Sequence, residues 1–209
     1  MFTPQRVHRD LYASGPRPRL EWHCTQGRLE LSGHVLATWT SKIGNLLLEE
    51  CDAGPGTRVL LDTPEHWRSA TWALGAWVTG ALVVLPAPGA TPVSGTPAAD
   101  VVATTRPEAW DRAAAPEVVV AVSTESFALR WPDPLPPGVL DGGIDVAGYA
   151  DDLQPVAVVP LDTPAVEHPG GSLSVRDLTR TTADALPALL GWWPALAAGD
   201  LVVLREGGS

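Results

Sequence analysis

A glycine-rich turn in the last quarter of the chain holds the side chains and N–H groups best suited to bind an anion. It reads HPGGSLS over His168–Ser174, after a predicted strand at Val156–Pro160 and before a predicted helix at Leu173–Leu190. Backbone N–H groups of such a turn can converge on a phosphate, helped by the helix N-terminus behind them. The candidate ligand-binding residues are the polar and glycine positions around the turn: Thr163, His168, Gly170, Gly171, Ser172 and Ser174.

The charges around this turn oppose phosphate binding. Asp162 and Glu167 precede the turn, no lysine lies near it, and the closest cation, Arg176, comes after the predicted start of the helix. A phosphate cradle normally combines converging N–H groups with a cation. The residues therefore favour a turn with a structural role over a working phosphate site.

The other chemistry-bearing residues predict no further catalytic or metal site. The five histidines are not spaced as metal ligands, and the chain has no Gly-x-Ser-x-Gly nucleophile turn. His34 and His66 fall in the first turns of predicted helices, where we expect them to face solvent or a neighbouring loop. Cys24 and Cys51 are expected to be two buried thiols, because the chain has no export signal.

The composition is that of a globular protein with an acidic surface. The 209 residues are 45% apolar and 18% charged, with a net charge of −10. Seven acids and no Lys or Arg lie between Trp131 and Val175, so a nucleic-acid backbone would be repelled there. No apolar run is long enough to span a bilayer, and the N-terminus lacks the apolar stretch of a signal peptide. We therefore expect a cytoplasmic protein that binds neither nucleic acid nor membrane.

Short apolar runs alternate with helical patterns through the chain, which predicts an α/β fold. Ser32 can cap a helix that ends near Cys51, the run Thr57–Asp62 is typical of a buried parallel strand, and Thr63-Pro64 is a strong helix start. The other predicted elements are a helix at Gln5–Ala13, a hairpin from Leu20 to Leu31, a short helix at Pro107–Ala114, and strands at Ala81–Leu85, Asp100–Thr104, Glu117–Val122 and Asp200–Leu204. This alternation predicts a doubly wound, mostly parallel sheet flanked by helices.

We expect a single α/β domain over residues 1–209, built from four consecutive parts. Residues 1–31 form the N-terminal helix and β-hairpin, and residues 32–122 form the α/β core. Residues 123–155 are an irregular segment rich in Pro and Gly, a composition that opposes regular structure. Residues 156–209 contain the glycine-rich turn and the last strand.

The first half of the chain resembles a known enzyme superfamily. Leu29–Pro86, LELSGHVLATWTSKIGNLLLEECDAGPGTRVLLDTPEHWRSATWALGAWVTGALVVLP, is similar to the N-terminal block of the adenylate-forming enzymes, which include acyl-CoA ligases, AMP-binding synthetases and adenylation domains. Those enzymes activate a carboxylate with ATP, using a Ser/Thr/Gly-rich phosphate loop that ends in Gly-x-Pro-Lys. At the matching place this chain reads LDTPAVEHPGGSLSVRDL over Leu161–Leu178, without a lysine.

The resemblance implies the fold of the superfamily's N-terminal subdomain with a degenerate phosphate loop. The adenine-contacting region, the ribose-binding aspartate and the C-terminal lid with its lysine have no counterpart in the 209 residues. We therefore expect a non-catalytic relative, a pseudoenzyme that acts as a homo-oligomer or binds a protein partner, with ATP and AMP disfavoured as cofactors. Two alternatives stay open: a small-molecule binding protein that keeps part of the adenylate pocket for a nucleotide or an acyl group, and a chain that pairs with a separately encoded partner.

Overall fold

The structure, a computed structural model, describes residues 2–87, 98–110, 116–125 and 127–207. The helices of these residues are α1 (Pro4–Ala13), α2 (Gly33–Cys51), α3 (Trp67–Thr79), α4 (Ile144–Ala147), α5 (Val175–Leu178) and α6 (Trp193–Ala198). The strands are β1 (Pro18–Cys24), β2 (Gly27–Ser32), β3 (Arg58–Asp62), β4 (Leu82–Val84), β5 (Val101–Thr104), β6 (Val118–Ala121), β7 (Leu140–Asp141), β8 (Pro164–His168), β9 (Gly171–Ser174) and β10 (Val202–Arg205). Single 3-10 turns lie at Pro107–Ala109, Ala183–Ala185 and Ala188–Leu190.

Seven of these strands form one sheet in the order β7-β6-β5-β3-β4-β8-β9. Every neighbouring pair in it is parallel except β8 and β9, which form an antiparallel hairpin. The central strands are buried on both faces, as the apolar runs predict: Val59, Val83 and Val101 have no exposed surface. The predicted mostly parallel α/β sheet is confirmed.

A second, three-stranded sheet has the order β10-β1-β2. The hairpin predicted between Leu20 and Leu31 is its antiparallel pair β1 and β2, and the predicted last strand pairs with β1 in parallel. Helix α1 begins where the sequence predicts, because the Thr3 hydroxyl accepts from the N–H of Arg6 and Pro4 opens the first turn.

Helices α2 and α3 cross at a point where only glycine fits. A Cβ built on Gly75 would lie 2.4 Å from Cγ2 and 2.8 Å from Cβ of Ile43. Because real Cβ atoms do not approach other atoms so closely, a larger residue would push the two helices apart. This close approach brings the buried face of α2 onto α3, whose residues are all buried.

Polar side chains of α2 hold the segment that follows α4. The Lys42 ammonium donates to the carbonyl of Ala147 at 2.9 Å and pairs with Asp151 at 2.7 Å. The Asn45 amide donates to the carbonyls of Ala150 and Asp152 at 3.1 and 2.9 Å. The later part of the 123–155 segment is therefore ordered by α2 rather than by secondary structure of its own.

Three predicted elements are wrong, and one is tested only in part. Residues Val156–Pro160 form no strand, since the strand that pairs with β4 begins at Pro164. Leu173–Leu190 is not one helix, because β9, the short α5 and two 3-10 turns replace it. Helix α3 starts at Trp67 with His66 as its N-cap, not at Thr63-Pro64. Of the helix predicted at Pro107–Ala114, Pro107–Ala109 is a 3-10 turn and residues 111–115 lie outside the described residues.

Candidate functional site

The glycine-rich turn that the sequence singles out is the tight end of the β8–β9 hairpin. His168 pairs with Gly171, so the turn itself consists of Pro169 and Gly170. Proline has no N–H, and the Gly170 N–H donates to Nδ1 of His168 at 3.2 Å. Gly171 has a φ of +141°, a backbone conformation that glycine tolerates and side chains rarely adopt. The turn therefore lacks the set of converging N–H groups that a phosphate cradle needs.

The cations beside the hairpin are already paired with its acids. The Arg58 guanidinium donates to both oxygens of Glu167, at 3.0 and 2.7 Å, and this bond lowers the pKa of the Glu167 carboxyl. Arg176 donates through Nε and Nη2 to Asp162, at 3.0 and 2.8 Å. Arg58 thus makes the bidentate contact that binds arginine most strongly, whereas both donors of Arg176 reach the same oxygen of Asp162.

The six predicted ligand-binding residues are spread along the hairpin rather than gathered at one point. Thr163 is buried just before the start of β8, where its carbonyl accepts from the N–H of Val175 at 2.9 Å. Ser174 lies at the same end and forms a capping box with Asp177 at the start of α5. His168, Gly170, Gly171 and Ser172 lie at or next to the turn at the opposite end.

A pocket of about 290 Å³ lies at the carboxyl ends of β3, β4 and β8. We call it the carboxyl-edge pocket, and its lining residues are Leu61, Thr63, Leu85, Pro86, His168, Pro169, Pro187, Ala188 and Leu189. Open α/β sheets bind ligands outside the carboxyl ends of their parallel strands, so its position in the fold favours ligand binding. His168 is the one predicted site residue among those that line it.

Thr63 is the polar lining residue that sequence reasoning assigned to another role. Its hydroxyl oxygen is buried and has no hydrogen-bond partner among the described residues. The Thr63-Pro64 pair matches a helix start, but His66 takes the N-cap position and leaves the Thr63 hydroxyl unused. The signal that could have identified Thr63 is its position directly after the strand β3, which ends at Asp62.

Two negative findings apply to the part of the chain that the structure describes. No group of three or more His, Cys, Asp or Glu side chains in it is arranged to hold a metal ion. None of its helices is both long and apolar enough to cross a membrane.

Comparison with known proteins assigns the chain to a family. No family model matches the sequence. A curated relative, the "TIGR03089 family protein" of Mycobacterium tuberculosis (strain ATCC 25618 / H37Rv), is 33% identical over 206 residues, which cover 93% of this chain and 81% of the relative. The chain belongs to the TIGR03089 family.

Solved structures show which fold this TIGR03089 family member shares. The acyl-CoA synthetase of Brucella canis superimposes with a TM-score of 0.77 at 19% identity, over 99% of this chain and 43% of that one. The acetoacetyl-CoA synthetase of Streptomyces lividans gives a TM-score of 0.73 at 17% identity, over 98% of this chain and 38% of that one. The anthranilate CoA ligase AuaEII, solved in complex with anthranoyl-AMP, gives a TM-score of 0.73 at 14% identity, over 99% of this chain and 45% of that one. The chain spans less than half the length of these three proteins, and its fold is that of the N-terminal subdomain of adenylate-forming enzymes.

Proposed function

We propose that this family member is a non-catalytic relative of the adenylate-forming enzymes that acts through contacts with a second copy or with a protein partner. The observation that carries the proposal is the two-residue turn between β8 and β9, which stands where the resemblance expects the ATP phosphate loop. Its one glycine N–H is bonded within the turn, to His168. The residues present therefore do not fit a bound triphosphate.

Electrostatics supports the same proposal. A triphosphate placed at the hairpin would lie beside Asp162 and Glu167, whose cations are already engaged. Recruiting Arg58 or Arg176 would break two hydrogen bonds to a carboxylate and leave that acid without its partner. Glu167 and Asp162 are 39% and 82% exposed, so each pair contributes little to stability, but its acid offsets the positive charge that would attract a phosphate.

The single lysine of the chain does not serve as a substitute for the missing loop lysine. Lys42 lies on α2, where its ammonium is bonded to the Ala147 carbonyl and to Asp151. Its side chain is only 14% exposed, so most of its surface is covered by neighbouring residues. Releasing Lys42 would also release the segment that α2 holds.

The outer edge of β10 supports a role in protein contacts. β10 pairs only with β1 among the described strands, so its other edge presents backbone groups that another chain could pair with. Leu201 and Val203 are 44% and 45% exposed, whereas Val202 and Leu204, which alternate with them along the chain, are buried. An apolar strand edge of this kind is a surface that natural proteins usually cover.

The catalytic part of the proposal is tested by ATP–pyrophosphate exchange. We expect the purified protein to exchange no labelled pyrophosphate into ATP with any of a panel of short, long and aromatic carboxylic acids. An active acyl-CoA synthetase assayed in parallel shows that the panel and the conditions support exchange. Exchange above background with any acid would contradict the proposal.

The contact part is tested by sedimentation velocity at several protein concentrations. We expect species larger than the 22.0 kDa chain, and we expect Val203→Glu to shift them towards the monomer. Val158→Glu, at a residue 86% exposed elsewhere on the surface, is the matched control and should leave the distribution unchanged. Association that Val203→Glu does not weaken would exclude the β10 edge as the contact.

The carboxyl-edge pocket supports a second candidate function, the binding of a small molecule. Its volume of about 290 Å³ is at the small end of ligand pockets, and the buried Thr63 hydroxyl lacks the partner that a ligand could supply. We infer that this pocket takes one small, largely apolar group of a larger ligand, such as the acyl group of an acyl-adenylate, with one hydrogen-bonding atom for Thr63.

Thermal-shift measurements with AMP, ATP, CoA and acyl-adenylates separate this candidate from the first. A ligand at about 100 times its Kd adds ~2.7 kcal/mol to the free energy of unfolding. We expect Thr63→Val to reduce such a shift without lowering the stability of the unliganded protein, because valine removes a hydroxyl that has no partner. If none of these compounds changes the melting temperature, the non-catalytic contact role stands alone.

A further inference from the structure

Four buried nitrogen atoms without a hydrogen-bond partner lie at the start of α3. They are Nε2 of His66, Nε1 of Trp67, and Nε and Nη1 of Arg68. The Nδ1 atom of His66 accepts from the N–H of Arg68 at 3.2 Å, so the proton of the neutral ring is on Nε2. All four nitrogens are therefore donors, and all belong to the first turn of a thirteen-residue helix, where the helix dipole is positive.

These donors are buried more completely than unpaired polar groups usually are. His66, Trp67 and Arg68 are 2%, 3% and 6% exposed. Burying a donor without an acceptor costs about 1–3 kcal/mol, and more for a charged group. Such groups in native proteins normally have a partner, which can be an ion or another bound molecule.

No acid in the described part of the chain forms an ion pair with Arg68. Its Nη2 donates to the carbonyl of Ala128, a neutral acceptor. Asp141 is the acid that influences Arg68 electrostatically, but its oxygens accept from the backbone N–H groups of Trp131 and Gly143 at 2.8 Å each. Among the residues that the structure describes, none therefore neutralises the charge of this guanidinium directly.

Aromatic rings form the walls of this cluster. The Arg68 guanidinium carbon lies 4.9 Å from the ring centre of Trp67 and 6.0 Å from that of Trp39. The His66 ring packs edge-to-face on Trp22 with ring centres 4.6 Å apart. Aromatic walls exclude water, and a low dielectric strengthens the attraction between a buried cation and an anion that reaches it.

We propose that the N-terminus of α3 binds a small monocarboxylate, with Arg68 as its counter-charge and the N–H groups of His66 and Trp67 as further donors. A monoanion matches the single charge of Arg68. The neutral His66 adds no charge, because burial and the neighbouring Arg68 lower its pKa to about 3. A dianion such as sulfate would keep an uncompensated negative charge inside an aromatic wall.

Residue Ala128 contributes the neutral acceptor that a ligand carboxylate would replace at Arg68. The Ala128 carbonyl accepts from Arg68, while the side chains of Phe127 and Leu129 on either side are 61% and 87% exposed. Those side chains contribute little buried surface, so moving this segment loses little packing. Displacing the carbonyl then exchanges a neutral acceptor at Arg68 for a charged one. The site shares no residue with the carboxyl-edge pocket, so it is independent of the functions proposed above.

Carboxylate titrations test the proposal. Sodium acetate and sodium benzoate are added at pH 7 with the ionic strength held constant by sodium chloride, while the melting temperature and tryptophan fluorescence are recorded. We expect a saturable rise in melting temperature with both carboxylates and no saturable rise with sulfate, which is a dianion at pH 7. Arg68→Met should weaken carboxylate binding by at least ~10-fold, because the counter-charge is lost. It should not lower the stability of the unliganded protein, because an unpaired buried charge is removed.

Arg19→Met is the matched control. Arg19 is also 6% exposed, has an unpaired Nε and donates through Nη2 to a backbone carbonyl, that of Leu196 at 2.9 Å, but it lies on β1 and two acids, Asp10 and Asp200, act on it electrostatically. This variant should keep the carboxylate response of the wild type. The proposal is overturned if no carboxylate gives a saturable response, if Arg68→Met responds like the wild type, or if sulfate binds as tightly as acetate.

A measurement on the wild type keeps the test decisive if Arg68→Met does not fold. In assigned ¹⁵N spectra, the Trp67 indole N–H should shift on addition of acetate. The indole N–H groups of Trp77 and Trp193 should stay in place, because they already donate to the carbonyls of Ala165 and Leu178. Equal shifts of all three indole signals would contradict the proposed site.

Discussion

Replacing Trp77 with alanine is expected to lower the free energy of unfolding by about 3–5 kcal/mol. The side chain is 1% exposed and packs against Trp192 and Trp193, with ring centres 6.0 and 5.1 Å away. Its removal leaves a cavity between α3 and the C-terminal part of the chain. It also removes the indole N–H that donates to the Ala165 carbonyl at 2.8 Å, at the position where the pairing of β8 with β9 is irregular.

Urea denaturation of the wild type and two variants measures this effect. Trp77→Phe keeps a ring in the cavity but cannot donate to Ala165, so we expect a smaller loss than for alanine. Leu129→Ala, at a side chain 87% exposed, should change stability by no more than ~0.5 kcal/mol. A loss below ~1 kcal/mol for Trp77→Ala would show that the three tryptophans do not form one packed unit.

Mild acid is expected to destabilise the protein through its buried histidines. Burial, and secondarily Arg68, lower the pKa of His66 to about 3, and burial also lowers the pKa of His8. Below the ordinary value near 6.5 the unfolded chain therefore binds protons that the folded chain does not. The free energy of unfolding falls as the pH falls through this window, by ~1.4 kcal/mol per pH unit for each proton. For His66 alone the loss reaches ~3 kcal/mol by pH 4.

The variant His66→Asn isolates this contribution. Asparagine is a good N-cap residue, so α3 keeps its start, but the side chain no longer takes up a proton. Urea denaturation between pH 7 and 4 gives the free energy of unfolding as a function of pH. Its slope for His66→Asn should be smaller than the wild-type slope by the equivalent of about one bound proton. The carboxylates titrate in both proteins and cancel in the difference. Identical slopes would mean that the folded protein in solution does not keep the His66 ring buried and neutral.

Local sequence patterns predicted much of the fold. The apolar spacing after Ser32 is confirmed by α2, and the runs Thr57–Asp62 and Ala81–Leu85 are confirmed by β3 and β4. These elements are recognisable because strands buried on both faces must be continuously apolar, and a helix packed on them must repeat at three and four residues. The resemblance to adenylate-forming enzymes covers the same elements.

The errors lie where long-range pairing outweighs local preference. Residues Val156–Pro160 are apolar enough for a strand, but Pro164–His168 occupies the place beside β4. After the turn at Pro169 and Gly170, the chain returns as a strand because Gly171–Ser174 finds open hydrogen-bond partners on β8. Which segment pairs with an existing strand edge depends on the whole sheet, and a local window does not contain that information.

The sequence by itself determined the fold class and the glycine-rich turn without a lysine at His168–Ser174, because composition and periodicity are properties of short segments. Only the tertiary structure decided that Lys42 holds a loop, that Arg58 and Arg176 are engaged by acids, and that Arg68 is buried without an ion pair. The pairing and burial of a charge depend on residues far away in the chain: Arg58 and Glu167 are 109 positions apart. Only folding brings such groups together, and their positions decide which charges stay available for a ligand.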